Sequence, residues 1–242
     1  MMLISDFTTL SFDCYGTLID WETGIHEALQ PLVRKSAKAM DRDSVLGLYA
    51  ECESAIQSEY PDVQYGELLE TKHRRIAERL NVSVPDVYHR DFASSIRNWP
   101  PFADSVTSLK YLKKHFKLVV LSNVDNAGFG YSNQHLEVEF DAIFTAQDIG
   151  SYKPDLKNFD YMLSELQKAG TEKSEILHTA QSQFHDMAPA TARGLKTCWI
   201  DRRANQAGSG ATPRTDKPVV PDFYFVTLAQ MAAAHKQECR QA

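Results

Sequence analysis

The chain has 242 residues, of which 43% are hydrophobic, and a formal net charge of −6, which suits one large domain or a core domain with a smaller insertion. The acidic balance without a Lys/Arg-rich stripe argues against a nucleic-acid partner, and the longest apolar runs, such as Leu118–Leu121, are too short to span a membrane. The four cysteines are scattered without a CxxC pair, so they predict neither a disulfide framework nor a zinc site.

The N-terminal part of the chain predicts one buried strand followed by a long helical segment. Residues 8–14, TLSFDCY, are an apolar run rich in β-formers that stops near Gly16. From residue 21 to about 80, apolar residues recur every three or four positions, and Pro61 and Pro85 interrupt this helical pattern. Because the helical block separates the first strand from the others, we interpret residues 21–100 as an inserted helical cap domain.

The rest of the chain alternates short strands with helices. Such alternation, with nearly continuous apolar strands, predicts a parallel sheet covered on both faces. We therefore expect an α/β fold with a Rossmann-like doubly wound core built from residues 1–20 and 101–242. The predicted strands are 116–122, 142–145, 176–180, 197–200 and 223–225, the predicted helices are 105–115, 159–169, 189–194 and 228–235, and 204–221 predicts an exposed loop.

Four polar clusters follow strands of this sheet, where doubly wound folds bind ligands. Asp13 ends the first strand, and an aspartate is ionised at neutral pH and can act as a nucleophile. Gly16 allows a sharp turn, and Thr17 offers a hydroxyl. Their convergence predicts an active site made of Asp13, Ser122-Asn123, Lys153 before Pro154, and Ser182-Gln183 with Asp186.

Each cluster also has a purely structural explanation. Asp13 could bond its own turn, and Lys153 could lie in a surface turn instead of holding Asp13 ionised. Ser122-Asn123 could cap the next helix instead of binding an anionic substrate group. Asp186 could cap a helix or orient a water molecule, and His185 stays unassigned.

The order of these motifs resembles the haloacid dehalogenase superfamily over nearly the whole chain. The motifs are FDCYGT at Asp13, LSN at 121–123, YKPD at Lys153 and SQFHD at Asp186. Phosphatases of that superfamily carry a second Asp two residues after the nucleophile, whereas this chain has Tyr15, a poor acid at pH 7. The late motif also lacks the acidic pair expected for Mg²⁺. The resemblance therefore favours the L-2-haloacid dehalogenases, which need no metal or other cofactor.

By this resemblance, Asp13 attacks the α-carbon of a small 2-haloalkanoic acid and displaces the halide, and water positioned by Asp186 hydrolyses the aspartyl ester to a 2-hydroxy acid. Lys153 keeps Asp13 charged. Arg42 is the candidate for the cap arginine that the family places about thirty residues past the nucleophile, and Phe159 replaces a family tyrosine. The substrate-binding residues implied are Cys14, Tyr15, Thr17, Arg42, Ser122, Asn123, Ser182 and Gln183, the last two standing where the family has Ser and Asn.

Three alternatives remain at this point. The same chemistry could serve another leaving group, as in ring opening of L-azetidine-2-carboxylate. The chain could be a Mg²⁺-dependent phosphatase of a small phosphomonoester with Asp186 as a metal ligand, or a non-catalytic binding protein. The expected partner is a small carboxylate, and a homodimer is the expected assembly. The absence of a signal-peptide pattern in Met1–Phe7 predicts a cytoplasmic location.

Overall fold

A computed structural model describes residues 2–59, 63–204, 206, 210–212, 215 and 218–241. Within them lies a six-stranded parallel sheet with the order β3-β2-β1-β4-β5-β6. Strand β1 is central, so polar residues at the ends of β2 and β4 lie beside the residue that follows β1. The strands are β1 (Thr9–Phe12), β2 (Lys117–Ser122), β3 (Ala142–Thr145), β4 (Ile176–Ala180), β5 (Lys196–Ile200) and β6 (Phe223–Phe225).

Helices cover both faces of the sheet, which confirms the predicted α/β doubly wound fold. Along β2, Leu118 and Val120 belong to one buried apolar cluster, whereas Val119 and Leu121 belong to another on the opposite face. This alternation follows from the two-residue period of a strand. The core helices are α5 (Ser105–Leu112), α6 (Asn126–Leu136), α7 (Ala146–Ile149), α8 (Leu156–Lys168), α9 (Ala188–Ala192) and α10 (Leu228–Gln241).

Four further helices lie between β1 and β2 in the chain, where the helical cap is expected. They are α1 (Trp21–Val33), α2 (Arg42–Glu59), α3 (Tyr65–Arg79) and α4 (Asp86–Ser94). Asp20 caps α1 by accepting a hydrogen bond from the Thr23 amide at 3.2 Å. Pro61 lies outside the described residues. Over the described parts of the chain, no helix combines the length and apolar character needed to cross a bilayer.

Three expectations about local structure are wrong, one of them the end of α10, which continues to Gln241 instead of stopping at residue 235. Helix α8 begins at Leu156, three residues earlier than predicted, because Asp155 caps it by accepting from the Lys157 amide at 2.9 Å. Residues 204–221 were expected to be exposed, but Ala211 is fully buried. Its amide donates to Glu22 at 2.8 Å, and this bond holds the segment against α1.

The register of the sheet brings three strand ends together. Phe12, the last residue of β1, pairs with Val120 of β2 and Thr179 of β4. The Asp13 amide continues the ladder by donating to the Thr179 carbonyl at 3.1 Å. The chain therefore leaves β1 at Asp13 between the ends of its two neighbours, as the parallel sheet predicts.

Candidate active site

The ammonium group of Lys153 joins the two carboxylates that follow β1 and β4. Its Nζ donates to Asp13 Oδ1 at 2.9 Å and to Asp186 Oδ1 at 2.6 Å. All three side chains are buried, and Lys153 is only 1% exposed. The alternative that Lys153 is a surface lysine in a turn is therefore wrong. Buried charges are tolerated when they are paired in this way.

The three groups shift each other's pKa in different directions. Burial raises the pKa of Asp13, and the negative charge of Asp186 adds to that effect, so that Lys153 lowers it only in part. For Asp186, burial is outweighed by Lys153 and by a hydrogen bond from His178, and the pKa falls. For Lys153, burial is outweighed by the two carboxylates, and the pKa rises. Lys153 thus stays charged, and Asp186 has a lower pKa than Asp13.

Thr17 fixes the second oxygen of Asp13. Its hydroxyl donates to Asp13 Oδ2 at 2.7 Å and accepts from the Gln181 amide at 2.9 Å. Each carboxylate oxygen of Asp13 thus accepts a hydrogen bond from a different side chain, which fixes the rotation of the group. An Asp that bonded only its own turn would lack the contact to Lys153.

Asn123 positions Lys153 through the backbone. Its side-chain amide donates to the Lys153 carbonyl at 2.9 Å, and its Oδ1 accepts from the Lys153 amide at 2.6 Å. The Lys153 ammonium also donates to the Leu121 carbonyl at 2.9 Å. The helix after β2 is capped by Asp125, which accepts from the Gly128 amide at 2.7 Å. The alternative that Ser122-Asn123 caps this helix is therefore wrong.

Asp186 lies in the helical turn Gln183–Met187, which Ser182 caps by accepting from the His185 amide at 2.9 Å. His178 of β4 donates from Nε2 to Asp186 Oδ1 at 3.2 Å, and its Nδ1 forms a hydrogen bond with the Ser11 hydroxyl at 2.9 Å. The other oxygen, Oδ2, is buried and has no hydrogen-bond partner within the described residues. Asp186 therefore keeps an acceptor free for a water molecule or a ligand and is not a cap.

A cavity of about 50 Å³ lies between the sheet and the helices that follow β1, and Asp13, Asn123, Lys153 and Asp186 are part of its wall. One water molecule needs roughly 10–15 Å³ on this measure, so the cavity suits a small molecule. The sequence predicted six of its lining residues, namely Asp13, Tyr15, Asn123, Lys153, Ser182 and Asp186. It missed Trp21, Glu53, Tyr65, Val124, Gln181 and Thr212 and left His185 unassigned.

Tyr15 contributes its ring to the cavity wall and not an acidic hydroxyl. The hydroxyl is bonded to the Ser132 hydroxyl at 2.7 Å and donates to the Gly128 carbonyl at 3.2 Å. The ring packs edge-on against Trp99, with the centroids 5.6 Å apart. Burial raises the pKa of Tyr15 well above its usual value of 10. The phenol is therefore neutral at pH 7 and is a very weak acid.

Arg42 is not part of this cavity. It is the first residue of α2, is exposed, and donates from Nη2 to the Thr23 hydroxyl at 2.9 Å. It lines a separate cavity beyond Trp21 and Gln181, together with Arg202. The expectation that Arg42 lies beside a leaving group is wrong, because the capped start of α1 holds its guanidinium elsewhere.

Four other predicted binding residues also lie outside the cavity wall. Cys14 is fully buried, and burial raises the pKa of its thiol well above the usual range. Gln183 turns away and accepts from the Val219 amide at 3.1 Å. Thr17 acts through Asp13, as described above. The buried Ser122 hydroxyl has no hydrogen-bond partner in the described ranges, although the residue does not line the cavity.

The residues that the sequence missed reach the cavity through tertiary packing. Glu53 and Tyr65 come from α2 and α3, and Thr212 comes from the segment that Glu22 holds in place. Gln181 directly follows β4, so the strand-end rule could have found it. His185 is partly buried, and its desolvation lowers its pKa although the charges of Glu53 and Asp186 oppose the shift, so it is neutral at pH 7.

A magnesium ion at this site would have to share its carboxylate ligands with Lys153. Mg²⁺ prefers an octahedral shell of oxygens with one or two carboxylates. Here the two carboxylates nearest each other share the ammonium of Lys153. No cluster of three or more His, Cys, Asp or Glu side chains suited to a metal occurs in the described part of the chain. We therefore derive no chemical step through a metal ion.

Comparisons with known proteins agree with the predicted superfamily and with the fold. The family model for haloacid dehalogenase-like hydrolases matches residues 7–179. An (S)-2-haloacid dehalogenase of Pseudomonas fluorescens is 24% identical over 230 residues, covering 91% of this chain and 93% of the relative. A pyrimidine 5'-nucleotidase of Escherichia coli K12 is 27% identical over 164 residues, covering 63% and 70%.

A solved structure extends this similarity to the whole fold. The L-2-haloacid dehalogenase of Xanthobacter autotrophicus with covalently bound chloropropionic acid superposes with a TM-score of 0.77 at 17% identity, covering 95% of this chain and 98% of that one. Identity at this level shows the fold alone. The family match extends from before Asp13 to Thr179 in β4 and covers more than half of the chain. The chain therefore belongs to the haloacid dehalogenase-like hydrolase family.

Proposed function

We propose that this hydrolase displaces a leaving group from carbon in a small 2-substituted carboxylic acid, without a metal ion, through an ester on Asp13. The observation that carries the proposal is the buried Asp13–Lys153–Asp186 cluster at a small cavity. In this family member the ammonium binds both carboxylates, and the residue two positions after Asp13 is a tyrosine that cannot serve as an acid. A 2-haloacid is the proposed substrate type, because a halide leaves without a proton.

The chemistry divides into two steps. One oxygen of the Asp13 carboxylate attacks the carbon that bears the leaving group, and the halide departs with the bonding electrons, leaving an ester. A water molecule then attacks Cγ of Asp13 and gives one proton to the free Oδ2 of Asp186, which passes it to the ester oxygen as that oxygen leaves. The second proton of the water is lost to solvent, and Asp13 is again a carboxylate. Cleavage of the bond between Cγ and the ester oxygen releases the 2-hydroxy acid. Lys153 offsets the negative charge that develops on Asp13 during this attack.

The other predicted residues have supporting roles in the proposal. Asn123 holds Lys153 in place, whereas the role of Ser122 as a donor to the substrate carboxylate stays a prediction, since this residue does not line the cavity. The ring of Tyr15 shapes the apolar side of the cavity. With Arg42 outside the cavity, the rings of Trp21, Tyr15 and Tyr65 are the candidates to surround the leaving group. A homodimer and a cytoplasmic location stay predictions, and light scattering of the purified protein would test the first.

The nucleotidase relative supports one alternative, a phosphatase that needs Mg²⁺. We would measure chloride release from L-2-chloropropionate and phosphate release from p-nitrophenyl phosphate, each with EDTA and with added Mg²⁺. The proposal predicts chloride release that is unchanged by EDTA and abolished by Asp13→Asn. Phosphate release that requires Mg²⁺, with no release of chloride, would show that the alternative is correct.

A further inference from the structure

Glu53 places a third carboxylate at the cavity. It lies on α2, is only 3% exposed, and lines the same space as Asp13 and Asp186. The mechanism proposed above gives it no role. A wall that contacts a departing halide is expected to be apolar or positively charged, and Glu53 is neither.

Glu53 is held by one oxygen only. Its Oε1 accepts from the Nζ of Lys72 at 2.7 Å. Lys72 is itself fully buried, and its ammonium lies over the rings of Tyr49 and Tyr65 at 5.3 and 5.0 Å. This pairing leaves the orientation of the carboxylate well defined.

The second oxygen of Glu53 has no donor. Oε2 is buried and accepts no hydrogen bond from the described residues. Buried acceptors in native proteins nearly always have partners, so an unpaired one calls for a partner from outside the described residues, such as water or a bound molecule. Because Glu53 lines the cavity, a molecule bound there can supply the missing donor.

The charges around the cavity favour a cationic donor. The cavity wall has three carboxylates, and among the described residues only two ammonium groups pair with them. Lys72 pairs with Glu53, and Lys153 pairs with both Asp13 and Asp186. His185 on the same wall is neutral at pH 7 because burial lowers its pKa. These side chains therefore carry one net negative charge, and a substrate carboxylate would add another. A positive charge on the substrate would offset this excess.

We propose that Glu53 is a specificity-determining residue that binds an ammonium group on the substrate, in addition to the carboxylate and the reacting carbon. The preferred substrate is thus a small 2-substituted acid bearing a charged amine, and a plain 2-haloalkanoic acid such as L-2-chloropropionate is a weaker-binding substrate of the same reaction. In a cavity of about 50 Å³, a molecule that reaches Asp13 also lies close to Glu53. This inference rests on the proposed function, since it takes the reaction at Asp13 as given.

Three stable 2-hydroxy acids of the same size test the inference. They resemble reaction products and differ in one group: 2-hydroxybutanoate carries a methyl, glycerate a hydroxyl and isoserine an ammonium. Binding of each racemate to the wild-type protein is measured by isothermal titration calorimetry at pH 7. Because hydrogen bonds to charged groups are the stronger ones, isoserine should bind at least about tenfold more tightly than 2-hydroxybutanoate, with glycerate between them.

Two variants attribute this preference to Glu53. Glu53→Gln should remove the advantage of isoserine. Glu51→Gln is the matched control, since Glu51 lies on the same helix but is exposed and paired with Arg79. If Glu53→Gln unfolds because Lys72 is left unpaired, the double variant with Lys72→Met removes both charges, and its fold is checked by circular dichroism.

The inference would be overturned by no binding of isoserine, by equal binding of isoserine and 2-hydroxybutanoate, or by a preference for isoserine that survives in Glu53→Gln. Tighter binding of glycerate than of isoserine would also overturn it, because a hydroxyl carries no charge. Labelling of Asp13 during turnover tests the proposed function separately. A labelled Asp13 with equal binding would retain the reaction and reject the role of Glu53.

Discussion

Lys153 is the residue whose removal should affect the site most broadly. It neutralises part of the charge on both Asp13 and Asp186 and is buried between them. In Lys153→Met the two carboxylates would repel each other and share a proton, which raises the pKa of Asp13 further. We expect kcat, measured as the rate of product release at saturating substrate, to fall by about a hundred- to a thousand-fold, the range seen when one preorganised donor is lost.

The control for this experiment is Lys157→Met. Lys157 lies four residues further on, and its exposed ammonium donates to the Gly150 carbonyl. This variant should keep full activity. Comparable losses in both variants would show that the effect of Lys153→Met is not specific to the two carboxylates.

The pH dependence of the reaction follows from the same three residues. Asp13 must be ionised to attack, and burial with the Asp186 charge raises its pKa above the usual value of 3.8. Activity should therefore fall as the pH drops through this raised pKa. The pKa of Lys153 lies above its usual value of 10.5, so activity should not fall on the alkaline side until the pH exceeds that value. A rate profile of kcat/KM from pH 4 to 10 should show the acid limb and no decline on the alkaline side.

Asp186→Asn separates the effect of burial on the pKa of Asp13 from the effect of the Asp186 charge. Loss of the Asp186 charge should lower the pKa of Asp13, so the residual acid limb shifts to lower pH while kcat falls because the water loses its acceptor. An acid limb that moved to higher pH in this variant would contradict the assignment of the charges.

Among the elements, helix α1 supports the site through its contact with Trp99. A methyl group added at Gly24 would lie 2.2 Å from Cδ1 of Trp99, whose ring packs against Tyr15 in the cavity wall. Gly24→Ala should therefore lower the free energy of unfolding by about 1–3 kcal/mol, the typical cost of overpacking, and also reduce activity. Gly47→Ala in α2 is the matched control, because nothing lies within 4 Å of the added atom.

Gly47→Ala should be neutral or stabilising by up to about 1 kcal/mol, since alanine favours a helix over glycine. Urea unfolding of both variants at pH 7 measures the two changes. A Gly24→Ala variant that matched Gly47→Ala in stability and activity would show that Trp99 can move without cost.

Helices α3 and α4 contain a pH-sensitive contact of their own. The Nδ1 atoms of His73 and His89 are 2.7 Å apart, and both side chains are buried. Burial and the neighbouring His89 lower the pKa of His73 from 6.5 to about 4. The unfolded chain therefore binds more protons than the folded one between these values, and stability is lost as the pH falls from 6.5 towards 4.

Thermal unfolding of wild type and His73→Phe at pH 7 and pH 5 measures this effect. The drop in Tm between the two pH values should be smaller in His73→Phe. His135→Gln, which changes an exposed histidine on α6, should retain the wild-type drop. An identical drop in all three proteins would rule out His73 as the source.

At the scale of the whole molecule, the parallel sheet could be predicted because its strands are short apolar runs separated by helical patterns. That prediction also located Asp13, Asn123, Lys153 and Asp186, since each follows a strand or the turn after one. It could not locate Glu53, Tyr65 or Thr212, which reach the cavity only after distant segments pack together. For Arg42, spacing along the chain was a poor guide, because the capped start of α1 holds its side chain outside the cavity.

The covalent role of Asp13 is the central claim, and isotope transfer tests it most directly. The protein is incubated with L-2-chloropropionate in H₂¹⁸O over many turnovers, and the peptide containing Asp13 is then analysed by mass spectrometry. Attack of water on Cγ of the ester predicts ¹⁸O in the carboxylate of Asp13, while the hydroxy acid formed in the first turnover keeps ¹⁶O. Release of product with ¹⁸O confined to the hydroxy acid, and with Asp13 unlabelled, would show that water attacks the substrate directly and would contradict the account.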